Sequence, residues 1–175
     1  MFLDPSTGVG NSRDEFLRSH PFWMDMAKKE LGTKEVAGTN THNARIQEYL
    51  RAANTVAGDE TAWCSAFVNW VMQQYGYSRT VQPNARSWTN WGKGIPSPRY
   101  GCIVVLWREI QSSWKGHVGF YYKSDSNNIW LLGGNQGNKV CVQSYPANRL
   151  LGYRWPFEKE YDAMSNNNNK GDGFI

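Results

Sequence analysis

The hydrophobic pattern changes period once, at Pro96-Ser97-Pro98, and that switch constrains the fold more than any other feature of the chain. Before it, apolar residues recur at three- and four-residue steps. Residues 21–32 read as a helix that proline opens and glycine stops. Asn43 caps a second predicted helix over 44–53, with Ile46, Tyr49 and Leu50 on one face. A third spans residues 61–75 and stops at Gly76, with Ala62, Ala66, Phe67, Trp70 and Val71 along one stripe and Asp59 and Thr61 as capping types. Residues 84–91 add a short helix stopped at Gly92. After the prolines the texture is strand-like. Residues 102–107 form a continuous apolar run, as in a strand buried on both faces, and 117–122 with 129–132 read as a hairpin. Weaker strands follow at 140–144 and 150–155. Helices first and an antiparallel sheet second is an α+β order.

A chain of 175 residues is expected to be one domain with a proper core. The predicted division is an arm over 1–20, a globular domain over 21–157 and a polar, mobile tail over 158–175 that holds an Asn run. Nine Trp, nine Tyr and seven Phe exceed what a core of this size needs, and surplus rings often line clefts for extended polar ligands. No window approaches the roughly 18 consecutive apolar residues of a membrane span. The N-terminus lacks a basic region followed by an apolar core, so a protein made in the cytoplasm without a signal peptide is expected. The net charge of +4 is spread along the chain with no basic run, which argues against nucleic acid. Cys64, Cys102 and Cys141 are odd in number and far apart, so no disulfide scaffold is expected and a thiol stays free. His20, His42 and His117 make no metal-ligand spacing, so neither a metal nor another cofactor is expected.

Cys64 sits where the third helix begins, among unpaired backbone N–H groups whose partial positive charge favours the thiolate. A lone cysteine in an apolar run is more often structural, and two later residues change those odds. His117 opens a predicted strand between Gly116 and Gly119. A hairpin turning through 123–128 and centred on Ser126 pairs Tyr122 with Trp130 and His117 with Asn135. Directly paired residues share a face with Cβ atoms about 5 Å apart, so an Asn carbonyl there can hold one imidazole nitrogen while the other meets Cys64. Cys, His and a polar orienting group are the arrangement of papain-like catalysis.

These residues carry a family resemblance. Trp63-Cys64-Ser65-Ala66-Phe67 resembles the nucleophile motif of CHAP and NlpC-type cysteine peptidases. The segment from Gly101 to Trp107 resembles the strand before their histidine, and Gly116-His117-Val118-Gly119-Phe120 is similar to the histidine motif itself. Leu132-Gly133-Gly134-Asn135-Gln136 resembles the strand that delivers the third residue. The resemblance covers 21–156. It implies a papain-like α+β fold, with the nucleophile helix packed on an antiparallel sheet, and metal-free hydrolysis of amide bonds in bacterial peptidoglycan peptides. Cys64 would attack the carbonyl, His117 would relay the proton and Asn135 would orient His117, with the Cys64 backbone N–H in the oxyanion hole. Two positions depart from the pattern. Gly133 stands where many CHAP members carry Glu, and Trp63 where papain-like enzymes often carry Gln. Gln136 is therefore an alternative third residue or oxyanion donor.

Trp63, Trp88 and Gln136 are the expected substrate-binding residues, Trp88 as a cleft wall beside Trp91. Asp59 and Glu60 fit either a substrate amine or a helix cap. Two rival functions remain open at this point: an acyltransferase or deamidase using the same triad on a protein, and a non-catalytic wall-binding module with a structural Cys64. The expected partner is peptidoglycan in the periplasm or cell wall, reached by a monomer. Delivery would be by phage lysis or by injection through a secretion apparatus. Injection, the favoured setting, implies a cognate immunity protein that blocks the cleft.

Overall fold

Helix α1, Trp23–Lys29, turns Trp23, Met24 and Ala27 inward and leaves Asp25, Lys28 and Lys29 in solvent. Helix α2, Ala44–Ala52, starts as predicted at Asn43, whose side-chain oxygen accepts from Arg45 N at 2.8 Å. The two helices meet where the Tyr49 hydroxyl donates to the Glu30 carboxylate, which also pairs with Arg45 at 3.2 Å. Helix α3, Cys64–Gln74, buries every residue from Cys64 to Met72. A helix apolar on all sides belongs at the centre of a domain. It lies against the sheet and is flanked by α1 and α2. Tyr49 packs its ring on Trp63, Phe67 and Trp70 at centroid distances of 5.8, 5.3 and 5.1 Å. Burying each ring stabilises the fold by about 1.5–3 kcal/mol before conformational entropy is counted.

The computed structural model describes residues 19–38, 42–55 and 62–171. After α3 come a 3₁₀ helix, Ala85–Asn90, and strands β1 (Lys93–Ile95), β2 (Ile103–Trp107), β3 (Gly116–Ser124), β4 (Asn128–Gly133), β5 (Cys141–Pro146) and β6 (Leu150–Trp155), with a 3₁₀ turn, Ala147–Arg149, between the last two. All pair antiparallel in one sheet, in the order β1-β6-β2-β3-β4-β5. This is the expected α+β architecture, compatible with a papain-like fold. Strand β2 is buried almost throughout, as its unbroken apolar run requires.

Three expectations change. The β3–β4 hairpin keeps the predicted register at Phe120↔Leu132 and Tyr121↔Leu131, but a bulge at Tyr122 moves Trp130 opposite Lys123. Strand β4 then ends at Gly133, so Asn135 has no partner in β3, while His117 pairs with Leu106 of β2. The polar tail is also not a loose end throughout: helix α4 spans Glu158–Gly171. Tyr161 anchors it against Trp23 and Trp155 at 6.0 and 5.4 Å, and Glu160 accepts from the backbone and hydroxyl of Ser78. An Asn-rich composition hides an anchor made of one ring and one carboxylate. Strand β1, three residues long, carries no pattern the sequence could show. The predicted arm falls outside the described residues apart from Ser19 and His20.

Candidate active site

Cys64 is the first residue of α3. The residue before it, Trp63, takes the N-cap position at φ −118°, ψ 18°, with no side-chain cap. The expected capping residues Asp59 and Thr61, and Glu60 with them, lie outside the described residues. Polar stitching holds the helix start instead. Ser65 Oγ donates to Gln82 O at 2.6 Å and accepts from Trp88 Nε1 at 2.9 Å. Asn69 bonds back to Ser65 O at 2.9 Å and accepts from Val81 N at 2.8 Å. The Trp63 indole donates to Glu35 Oε1 at 2.8 Å, and its ring packs on the chain leaving β4. That approach requires glycine at 134: a Cβ there would stand 2.6 Å from Trp63 Cζ3 and 2.7 Å from Phe67 Cβ. The start of α3 and the loop after β4 are thus pressed together.

This loop delivers Gln136 to His117. His117, the second residue of β3, is 5% exposed, and its Nε2 lies 2.9 Å from Gln136 Oε1. The amide of Gln136 has only one orientation that fits. Its Nε2 donates to Leu131 O at 3.1 Å and to Cys141 O at 2.6 Å, so Oε1 is the atom that faces the imidazole. An amide oxygen accepts, so His117 Nε2 carries the hydrogen and Nδ1 is left for the thiol. Tyr145, on β5, closes the group from a third side. Its hydroxyl lies 3.1 Å from both His117 Nε2 and Gln136 Oε1, and its ring tilts 34° over the imidazole at 4.9 Å.

Burial pushes the Cys64 thiol up, but the charge of His117, a hydrogen bond to its side chain and the backbone amides of Val118 and Ser65 outweigh burial and hold the thiol below its ordinary value. On Cys102 burial outweighs a backbone hydrogen bond at Arg99 and the Arg99 charge, and that thiol is pushed up to about 12. Burial, with the charges of Cys64 and Cys141 behind it, also raises the Tyr145 phenol, so Tyr145 keeps its hydrogen at neutral pH. The described residues bring together one activated thiol, one imidazole presented to it, and an amide and a phenol that fix the imidazole. Such a group can attack a carbonyl and move a proton.

The cleft has two lobes that share Ala62 and Arg108. The larger, about 640 Å³, is lined by His117, Asn135, Gln136, Tyr145 and Arg149 among others. The smaller, about 180 Å³, exposes Cys64 between Pro83, Ala85 and Trp114. The sequence-predicted residues divide accordingly. Cys64, His117 and Gln136 converge, with Gln136 in the place expected of Asn135. Asn135 lines the larger lobe at φ 54°, beyond the end of β4, and is one residue removed from the contact with His117. Gln136 is 1% exposed with both amide hydrogens engaged, so it holds His117 and is no oxyanion donor. Trp63 and Trp88, each 0% exposed, are core residues, which corrects their reading as substrate-binding residues. The pattern could not show this, because a ring packed under a helix and a ring lining a cleft have the same spacing. Tyr145, Arg108 and Arg149 were missed.

Residues 56–135 match the CHAP domain family. The matched segment holds Cys64 and His117 in the order described and stops one residue before Gln136. No curated protein matches the chain.

Proposed function

The chain carries a domain of the CHAP family, and from that premise we propose that it is a cysteine-dependent hydrolase of amide bonds in the peptides of bacterial peptidoglycan. CHAP domains are in general peptidoglycan-hydrolase or amidase-like. The observation that carries the finer reading is the Cys64 thiol held below its ordinary value beside a His117 whose other nitrogen is fixed by Gln136.

The reaction follows from this geometry. The Cys64 thiolate adds to the amide carbonyl, and the negative oxygen that forms is met by the backbone N–H at the start of α3. His117 passes the Nδ1 proton to the leaving nitrogen, the C–N bond breaks, and an amine departs from a thioester on Cys64. Water then adds to the thioester as His117 takes its proton. Collapse expels the Cys64 thiolate and releases a carboxylic acid. Gln136 and Tyr145 keep Nδ1 aimed throughout, which is the group that orients the base in a triad. The binding-module alternative depended on exposed aromatic walls and a structural Cys64, and the burial of Trp63 and Trp88 removes two of those walls.

The test is digestion of purified peptidoglycan by wild type and Cys64→Ala, with released fragments read by mass spectrometry. New amine and carboxyl ends made only by the wild type support the reading. Binding to sacculi by both proteins with no fragment from either would replace it with the wall-binding module. Transfer to an added amine in preference to water would replace it with an acyltransferase. We further propose an antibacterial effector that acts in the periplasm and is held off by an immunity protein seated in the cleft. Expression directed to the periplasm of a Gram-negative host then lyses the cells, whereas cytoplasmic expression and periplasmic Cys64→Ala do not.

A further inference from the structure

Four arginines of the described chain direct their guanidinium groups at acceptors of the protein itself. Arg45 meets Glu30 and Glu48, Arg79 donates to Ala52 O, Arg86 to Lys115 O and Gln111 O, and Arg154 to Trp91 O and Gly92 O. Arg108 and Arg149 differ. Among the described residues neither has a carboxylate or carbonyl acceptor for its guanidinium, and both line the larger lobe of the cleft. Arg108 follows β2 directly, and Arg149 closes the 3₁₀ turn before β6 with its guanidinium 5.4 Å above the Trp107 ring. A cation–π contact leaves the N–H groups of Arg149 without a protein acceptor, so they can meet a ligand. The same lobe is lined by His117 and by Tyr145, whose hydroxyl lies 3.1 Å from His117 Nε2. The lobe's acidic residue, Glu35, is engaged by the Trp63 indole.

The smaller lobe has no such pair of guanidiniums. Its Lys115 pairs with Glu109 at 2.6 Å, and Pro83, Ala85 and Trp114 supply apolar wall. The two lobes carry the same formal charge but hold it differently: on the His117 side two guanidiniums have no protein acceptor, whereas on the Cys64 side Lys115 is tied to Glu109 and only the shared Arg108 is left. The reaction gives these sides different tenants. His117 must protonate the leaving nitrogen, so the amine half of the substrate lies over His117, and the acyl half is carried by Cys64.

We propose that Arg108 and Arg149 form a carboxylate-binding subsite for the amine half of the substrate, so that the preferred scissile amide is one whose leaving amine belongs to a residue bearing a free carboxylate. Two guanidiniums lining one lobe can meet a carboxylate by paired N–H donors, and an amidated carboxylate presents donors where the subsite needs acceptors. The subsite rests on the hydrolase reading for its place on the amine side, but not for its existence.

Two measurements separate those levels. The first alkylates Cys64 with iodoacetate, an anion, and with iodoacetamide, its neutral counterpart, in wild type, Arg108→Gln/Arg149→Gln and Arg108→Lys/Arg149→Lys. Taking the rate ratio of the two reagents cancels any change in thiolate fraction. Loss of two nearby positive charges lowers the ratio about tenfold at low salt, and the Lys pair keeps most of it. The same ratio in all three proteins overturns the subsite. The second compares digestion of cross-linked muropeptides whose peptide carboxylates are free or amidated. Wild type shows a KM about tenfold higher for the amidated form, and the Gln pair discriminates less than about twofold. Equal KM for both forms in wild type overturns the substrate assignment. An Arg-dependent alkylation ratio with no muropeptide cleaved would sink the hydrolase reading and leave the carboxylate subsite standing.

Discussion

Cys64 and Cys102 are both buried and both free thiols, yet their chemistry runs in opposite directions. Cys102 precedes β2 inside the sheet, where burial leaves the neutral thiol favoured up to about 12. Cys64 stands where a helix start meets a strand start, and the same burial is overcome by an imidazole and two backbone amides. Burial alone makes a cysteine inert. What makes one reactive is a junction between elements, where backbone donors have no partner of their own and a base can be aimed from the neighbouring strand.

The strongest way to break this comparison is to delete each sulfur. Cys64→Ala lowers kcat/KM by on the order of 10⁴-fold or more, because the nucleophile is gone. Cys102→Ala leaves kcat/KM within about threefold and destabilises the fold by about 1–2 kcal/mol, the cost of a small cavity in a strand. Peptidoglycan turnover and urea denaturation read the two effects. Next is the residue that aims the base. Gln136→Ala frees the imidazole to rotate and lowers kcat by about 10²-fold with little change in KM. Asn135→Ala costs less than about tenfold, and Asn135→Gly, which suits the positive φ at this position, less still. A larger loss at Asn135 than at Gln136 would restore the predicted pairing of Asn135 with His117. Tyr145→Phe removes one hydroxyl shared by His117 and Gln136 and lowers kcat about two- to tenfold, as one net hydrogen bond allows.

The smallest effect is on alkaline stability. A thiol whose folded pKa is raised favours the folded state below the unfolded value of 9.0 and loses that contribution as pH rises towards about 12. Cys102→Ala is therefore less sensitive than wild type to a shift from pH 9 to pH 11, measured by urea midpoints. Cys64 has the opposite sign. Its lowered folded pKa contributes stability above 9.0, which is lost as pH falls through the folded value.

The sequence made the elements and two of the three central residues legible, because each lies in a local pattern. Cys64 heads a helical stripe, and His117 opens an apolar strand. Gln136 was harder, because the choice between it and Asn135 depends on where a strand stops. Register arithmetic carried β4 on to residue 135, whereas Asn135, Gly137 and Asn138 all take positive φ and turn the chain out of the sheet. Tyr145 escaped because it lies just before Pro146, and proline reads as the end of a strand. On the edge strand β5 that proline is tolerated, so the strand runs on through Tyr145. Three strands, β3 to β5, separate Arg108 from Arg149 in the chain, and the two line one lobe because β6 returns beside β2. No spacing in the sequence carries that shared placement.

The central claim is that His117 lowers the pKa of the Cys64 thiol against its burial, and the pH dependence of Cys64 alkylation by iodoacetamide tests it most directly. In wild type the rate titrates with an apparent pKa below the ordinary 9.0, and in His117→Ala the titration moves to 9.0 or above, because burial is then opposed only by backbone amides. The same profile in both proteins, with reactivity rising only near 9.0, would contradict the claim and return Cys64 to the class of Cys102.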